Sequence, residues 1–338
     1  MPATPLSPRR PALRRIVLHV QNDPTSPVDA VTPAAFRLAA RQAPALARRL
    51  VVSYADDDAA LDGRLAEAEI LLTGYFPSHD LARRAPRLRW IQSTSAGVEK
   101  LVPHLPPTVV LTNASGVHGP KGGEYALTGL LMLNHLVPHY VTRQRERRWD
   151  PRFASTIAGK TVVLVGVGRI GEAVARLCRR FGLRVLGVRR SGRPHPLVER
   201  TFPPRAIGRA LAQADFVVVS APLTSETRGL VGRAELDRLP RHAGLVNLGR
   251  AAVVDYDHLA AKLQRGELGG AVLDVLPEEP LPADSPLWTT PNVILSPHCA
   301  VDDVVTYVPR ALAIFFDNLV RYVAGRPLRN RVDPSRGY

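Results

Sequence analysis

Apolar residues fall into short runs separated by turn-forming residues, and between the runs lie Ala- and Arg-rich stretches whose apolar positions repeat at helical spacing. In the first third, residues 15–20 (RIVLHV), 50–53, 69–73 (EILLT), 88–92 (LRWIQ) and 109–112 read as strands, with a helix over 36–50 interrupted at Pro44. Strands alternating with helices predict a parallel sheet flanked by helices. A long apolar segment at helical spacing follows over 124–137 and runs into the arginine-rich 143–148 before Trp149. From Lys160 the alternation begins again: TVVLV, a helix over 170–181, RVLGV at 184–188, FVVVS at 216–220, GLVNLG at 244–249, AVLDV at 271–275 and NVILS at 292–296. Runs this apolar suit strands buried on both faces. A closing helix is expected over 303–323, with Val304, Val308, Leu312, Phe315, Leu319 and Val323 on one stripe and Gly325 past its end. The tail, 326–338, reads as polar and extended.

Length turns this pattern into two domains, since 338 residues at ~150 per domain make about two. No apolar stretch is long enough to span a membrane, and the best candidate, 125–141, is broken by Asn134, His135 and Pro138. The first 15 residues carry four arginines and no apolar core, so they do not form a secretory signal. Cys178 and Cys299 form no CxxC, which argues against a disulfide framework or a zinc site. The reading is a cytoplasmic protein with no membrane partner and no metal. The net charge of +15 raises the question of nucleic acid. The charge is nearly all arginine, scattered in pairs and accompanied by no nucleic-acid motif, so solvated faces are the better explanation and no nucleic-acid partner is expected.

Chemistry enters at 166–171, Gly-Val-Gly-Arg-Ile-Gly, which fits GxGxxG between a β-branched strand and an amphipathic helix. That order suits a dinucleotide: Gly166 for the tight turn, Gly168 for close approach of a pyrophosphate, Gly171 for helix–strand packing, and the helix start at Arg169 and Ile170 facing the anion. After the next strand, an NAD site needs an acid for the ribose hydroxyls. This chain has Arg189, Arg190, Ser191, Gly192 and Arg193 there, and guanidinium groups match a 2′-phosphate. NADP(H) is the expected cofactor, with NAD(H) the alternative.

Three ionisable residues then fall just after strands, where open α/β sheets bind ligands: Arg250, Glu279 and His298. Together they suffice to reduce a 2-keto acid by hydride transfer. The arginine holds the carboxylate, the histidine exchanges the proton, and the glutamate keeps the histidine protonated and oriented.

Further motifs join these: Ser-Thr-Ser-Ala-Gly-Val-Glu at 93–99, Glu-Tyr-Ala-Leu at 124–127, Asn-Leu-Gly-Arg at 247–250, Leu-Asp-Val at 273–275 with Glu-Pro-Leu-Pro at 279–282, Ser-Pro-His at 296–298, and Gly-Arg-Pro-Leu-Arg-Asn at 325–330. With the glycine loop, they make the chain resemble the D-isomer-specific 2-hydroxyacid dehydrogenases. The resemblance implies an α/β protein of two Rossmann-like, doubly wound parallel-sheet domains with a cleft between them. Residues 1–117 with 304–338 would form a flavodoxin-like substrate-binding domain, and 118–303 the dinucleotide-binding domain. It also implies catalytic roles for Arg250, Glu279 and His298, and backbone amides around Ser95, Ala96 and Gly97 that hold the substrate carboxylate. Asp274 would meet the nicotinamide carboxamide, and Ala221, Pro222, Thr227, Leu248, Gly249, His298 and Ala300 would line the cofactor site. Tyr75 and Phe76 would wall the substrate pocket or pack in the core. A homodimer is implied as well.

The chain departs from the family pattern at Ala251, where glycine is commoner, and at Val301, where a small residue is usual. Cys299, beside the histidine, is expected to be a packed thiol rather than a nucleophile. The resulting expectation is an NADPH-dependent reductase giving D-2-hydroxy acids, with glyoxylate and hydroxypyruvate the first substrates to try. The alternatives are a dehydrogenase for a larger 2-keto acid or phosphite, and a corepressor-like protein that senses the dinucleotide.

Overall fold

The computed structural model describes residues 14–23, 30–56, 62–74, 80–98 and 101–336. The apolar runs form two sheets in which every paired strand is parallel. The first comprises β1 (Ile16–Gln21), β2 (Leu50–Ala55), β3 (Ile70–Thr73), β4 (Trp90–Ser93) and β5 (Val110–Thr112). Its order, β2-β1-β3-β4-β5, is that of flavodoxin-like sheets. The second comprises β6 (Thr161–Val165), β7 (Arg184–Val188), β8 (Arg200–Phe202), β9 (Phe216–Val219), β10 (Gly244–Asn247), β11 (Gly270–Leu273) and β12 (Val293–Leu295). Its order is β12-β11-β10-β9-β6-β7-β8. Counted from β6, that is the doubly wound dinucleotide-binding order with one further strand, and the order reverses between β6 and β9.

The described residues divide into two compact units: the chain up to Ala114 with Val308–Val332, and Ser115–Tyr307 with the chain from Asp333 on. In the first, Trp90 is fully buried and stacks on Phe315 and Tyr322, with ring centroids 5.4 Å apart in both pairs. The core there includes Ile16, Leu18, Ile70 and Leu72 from the sheet and Leu312, Phe316 and Leu319 from the closing helix. In the second, two apolar layers cover the sheet, one built on Val163, Val165, Val217 and Leu245, the other on Val162, Leu164, Val218 and Val246.

Local chemistry moves several boundaries. The helix expected over 36–50 with an interruption at Pro44 is two helices, Pro33–Ala40 and Pro44–Ala47. The Thr32 hydroxyl accepts from Ala35 N at 3.2 Å and caps the first, and Pro44 opens the second, where its missing N–H costs nothing. The segment expected as one helix over 124–137 is the helix Gly119–Asn134, and a second, Val137–Arg145, carries the arginines. Leu136, in left-handed backbone (φ 59°), separates them. The closing helix is Tyr307–Val323, so its stripe starts at Val308; Val304 lies outside it, 80% exposed. The tail is not merely extended: Arg331 bridges Thr112 antiparallel, and Val332 is buried. β8 and the helix Ile207–Leu211 were not predicted. Among the described residues no helix is long and apolar enough to cross a membrane.

Candidate active site

The carboxyl ends of the second sheet carry the candidate residues. Gly166 follows β6 with φ +103°, and a Cβ there would lie 2.7 Å from the backbone nitrogen of Ala221, just past β9. At Gly171 a Cβ would collide with the Gly166 carbonyl oxygen. These two glycines let loop, helix and neighbouring strand touch. Gly168 differs, because nothing lies within 4 Å of its Cβ position. It is the extended N-cap of the helix Arg169–Arg180 and supplies no side chain to cap the first turn, where Ile170 is partly buried against the core. A helix start with open space before it is a seat for an anion.

At the end of β7, Gly192 (φ +61°) makes a turn in which its N–H donates to the Arg189 carbonyl at 3.0 Å. Arg193 N donates to Ser191 Oγ at 3.3 Å. Arg190, Ser191 and Arg193 are exposed and Arg189 is half-buried at the carboxyl end of β7. Past β9, Ala221 is buried, and Thr227 Oγ1 donates to the Pro222 carbonyl at 2.6 Å, closing that loop.

Arg250 leaves β10 through a turn shaped by Asn247, which is fully buried. Asn247 Oδ1 accepts from Gly249 N at 3.0 Å, and its amide donates to Tyr256 Oη at 3.2 Å. Leu248 is buried beneath the turn, and Arg250 Nη1 donates to the Gly249 carbonyl at 2.8 Å. Tyr256 Oη donates in turn to the Val275 carbonyl, tying the end of β10 to the end of β11.

His298 follows β12 in left-handed backbone (φ 50°), its N–H held by the Asp274 carbonyl at 2.8 Å. Its Nδ1 lies 2.7 Å from Glu279 Oε2, while Glu279 Oε1 accepts from Leu276 N at 2.9 Å. Burial raises the Glu279 carboxyl, but the His298 bond, the Leu276 N–H and the charges of His298 and Arg250 outweigh it and hold it below the usual carboxylate range. Arg250, Glu279 and His298 are thus brought into one electrostatic neighbourhood.

Asp274 lies beneath them, fully buried. Its Oδ1 accepts from Ser296 Oγ at 2.7 Å, Cys299 N at 3.2 Å and Ala300 N at 3.1 Å, and Ser296 is bonded to Tyr125 Oη at 2.6 Å. Its Oδ2 is buried without a partner. An unmatched buried carboxylate oxygen needs a donor. A primary amide is one, so this atom, the open Gly168 corner and the arginine turn all fit a nicotinamide dinucleotide phosphate. Ser296 and Tyr125 lay inside quoted motifs, yet sequence reasoning assigned their hydroxyls no part in fixing Asp274. Cys299 is a correction: it is exposed, not packed. Partial desolvation and the carboxylates of Asp274 and Asp302 push its thiol up, the reverse of an activated nucleophile.

In the first unit, the turn after β4 is tight. Ser95 N donates to Ser93 Oγ at 3.0 Å, Gly97 N to Ser95 Oγ at 3.2 Å, and Asn113 Nδ2 to the Ala96 carbonyl at 2.9 Å. Two of the three amides expected to hold a carboxylate therefore already donate to hydroxyls. Tyr75 and Phe76 lie outside the described residues.

A family model described as D-isomer specific 2-hydroxyacid dehydrogenase, NAD binding domain, matches residues 127–300. The chain is 34% identical over 302 residues to glyoxylate/hydroxypyruvate reductase B of Pectobacterium atrosepticum, covering 86% of this chain and 93% of that one. It belongs to the D-isomer specific 2-hydroxyacid dehydrogenase family and is an oxidoreductase with an NAD-binding domain. Among solved structures, a D-isomer specific 2-hydroxyacid dehydrogenase from Xanthobacter autotrophicus in complex with NADPH and MES superposes with a TM-score of 0.81 at 32% identity, over 96% of this chain and 100% of that one. The NADPH-dependent glyoxylate/hydroxypyruvate reductase of Sinorhizobium meliloti, in complex with NADP and sulfate, gives 0.79 at 27% identity, over 96% and 100%.

Proposed function

We propose that the protein is an NADPH-dependent reductase of small 2-keto acids, glyoxylate and hydroxypyruvate first among them, giving D-2-hydroxy acids. The observation that carries this is His298 Nδ1 seated on Glu279 at 2.7 Å directly above Asp274, whose Oδ2 is buried and unmatched. The relatives named for these substrates and the NADP-bound structures support the same choice.

Gly166, Gly168, Gly171 and the start of the following helix would hold the pyrophosphate; Arg189, Arg190, Ser191 and Arg193 the 2′-phosphate; Asp274 Oδ2 the carboxamide. Ala221, Pro222, Thr227, Leu248, Gly249 and Ala300 would line the remaining length. Bound there, the reduced nicotinamide supplies hydride. Arg250 pairs with the substrate carboxylate by its planar fork and draws charge from the keto group. Anionic Glu279 accepts from Nδ1–H of His298 and orients the ring, and in the protonated ring Nε2–H is left to protonate the keto oxygen. In the first unit, the Ala96 amide is the candidate carboxylate donor. A cytoplasmic homodimer completes the reading. Two free cysteines suit a reducing compartment, and Trp149 and Phe153, 96% and 97% exposed, suit a face covered by a second copy; light scattering at a monomer mass would end that part.

The test is absorbance at the nicotinamide band with NADPH and with NADH against glyoxylate, hydroxypyruvate, larger 2-keto acids and, in the oxidative direction, phosphite. Turnover of a small 2-keto acid with NADPH is expected. Tight NADPH binding with no turnover of any substrate would instead favour a dinucleotide-sensing protein.

A further inference from the structure

His118 belongs to none of the motifs above, yet it is packed against the segment that carries the catalytic histidine. It is the N-cap residue of the helix Gly119–Asn134, and its side chain is 14% exposed. Nδ1 lies 3.3 Å from the Val301 carbonyl and 3.5 Å from Asp302 Oδ1. The ring packs on Tyr307 at 5.2 Å between centroids, tilted 60°. Both neighbours of Nδ1 are acceptors, so Nδ1 carries the hydrogen. The first turn of the same helix meets the same segment a second time: a Cβ on Gly122 would lie 3.4 Å from Val301 Cγ1. Val301 is the position where the family pattern expects a small residue, and its side chain lies beside the bare Gly122.

Segment 298–302 is therefore held from two sides. Asp274 binds the amides of His298, Cys299 and Ala300 at one end. His118 and Gly122 hold Val301 and Asp302 at the other. His298 itself has φ 50°, a conformation a histidine keeps only when its surroundings enforce it.

We propose that His118 is a positioning residue for His298, clamping the 301–302 end of the turn so that the Nδ1–Glu279 bond holds its geometry; this rests on the reductase reading above. The groups that act on His118 electrostatically are Asp302, Arg250 and His298, with the Tyr307 ring against its face. Burial pushes its pKa down against the pull of Asp302. The clamp thus works as a neutral donor and adds no further positive charge beside Arg250 and His298.

His118→Phe keeps the ring against Tyr307 and removes the donor, while His118→Asn places an amide N–H where Nδ1–H was. A turn loosened at one end misplaces the proton donor, which lowers kcat for the 2-keto acid by about 10- to 100-fold in the Phe variant. The KM for NADPH should not move, and the Asn variant should recover most of the rate. Independently of turnover, the Nδ1–H proton of His298, shielded by Glu279, should be sharp by NMR in the wild type and the Asn variant and broadened in the Phe variant. A Phe variant with wild-type kcat and a sharp resonance overturns the proposal. If that variant does not fold, His118→Gln, whose amide falls at Nε2, replaces it, and equal rates for the Asn and Gln variants overturn the proposal. A wild type inactive on all 2-keto acids fails the reductase reading, while the resonance still judges the clamp.

Discussion

The two units place their polar residues in opposite ways. In the second, β6, β9, β10 and β11 read TVVLV, FVVV, GLVN and GAVL, and the groups with chemistry begin where the strands end. His298 and Glu279 there keep 38% and 37% of their side chains in water. In the first, polar side chains lie inside the sheet: His19, Gln21, Gln92 and Thr112 are all buried. They satisfy one another. Trp90 Nε1 donates to Thr112 Oγ1 at 2.7 Å, Thr112 Oγ1 to Gln92 Oε1 at 2.8 Å, and Asn318 Nδ2 to the same Gln92 oxygen at 3.1 Å. A neutral polar group can be buried at small net cost once paired, whereas a buried charge costs far more. The first unit accordingly uses neutral hydrogen bonds to lock its strands to the closing helix, whereas the His298–Glu279 pair of the second lies at the rim, where water reaches it.

Substitutions can break or sharpen that contrast. The largest effect is expected at the rim: His298→Gln removes the proposed general acid and should cut 2-keto acid turnover by ~10²–10⁴-fold while NADPH binding, followed by fluorescence, persists. Turnover within a few-fold of wild type would remove His298 from the chemistry. Next comes Arg189→Asp, which deletes one charge-assisted contact and adds repulsion. The NADPH/NADH ratio of kcat/KM should fall by about 10- to 100-fold, and the wild-type ratio should itself shrink as salt rises. A wild type that uses NADH as well as NADPH would show these arginines to be surface charge only.

In the interior of the first unit, Gln92→Leu removes the acceptor that Thr112 and Asn318 share, leaving them only the Ile91 and Arg329 carbonyls. The expected loss is about 1–3 kcal/mol of stability, read from denaturant melts, with turnover at low temperature preserved. A variant equally stable but inactive would reverse the roles drawn here for interior and rim. The smallest effect is a pH shift. Glu279 is ionised above its lowered pKa, and its pairing with His298 is lost only as pH falls through that value. With Glu279→Gln no carboxylate remains to titrate beside His298, so the acid limb of kcat/KM for reduction that Glu279 sets should disappear, and an acid limb unchanged from wild type would separate the two residues.

What could be read from residues alone follows the same division. Strands of the second sheet are continuous apolar runs, and RVLGV coincides with β7 from end to end. Arg250, Glu279 and His298 stood out as candidates because each lies a few residues past such a run. β8 was missed because its three residues, RTF, carry no periodicity. The long helix was shortened at its start because Gly-Pro-Lys-Gly-Gly has poor helix propensity, yet in the fold those glycines give close approach to Ile170 and Ala173. His118 left no trace in the pattern, because its partners are 183 and 184 positions away in the chain. The same distance hid the placing of Val301 beside Gly122.

The stacking of Trp90 on Phe315 and Tyr322 has a consequence for biosynthesis. A ribosome makes Trp90 long before it makes its partners, and all of Ser115–Tyr307 emerges in between. The later unit can close its core while the earlier one still exposes Leu18, Ile70, Leu72 and Trp90 on one open face. Pairing across so great a stretch of chain is slow, and apolar faces left open during translation are where self-association starts. A nonsense codon just before Tyr307 would leave the dinucleotide sheet intact but deny the older half its lid, yielding a chain that is half folded, sticky and a substrate for proteolysis.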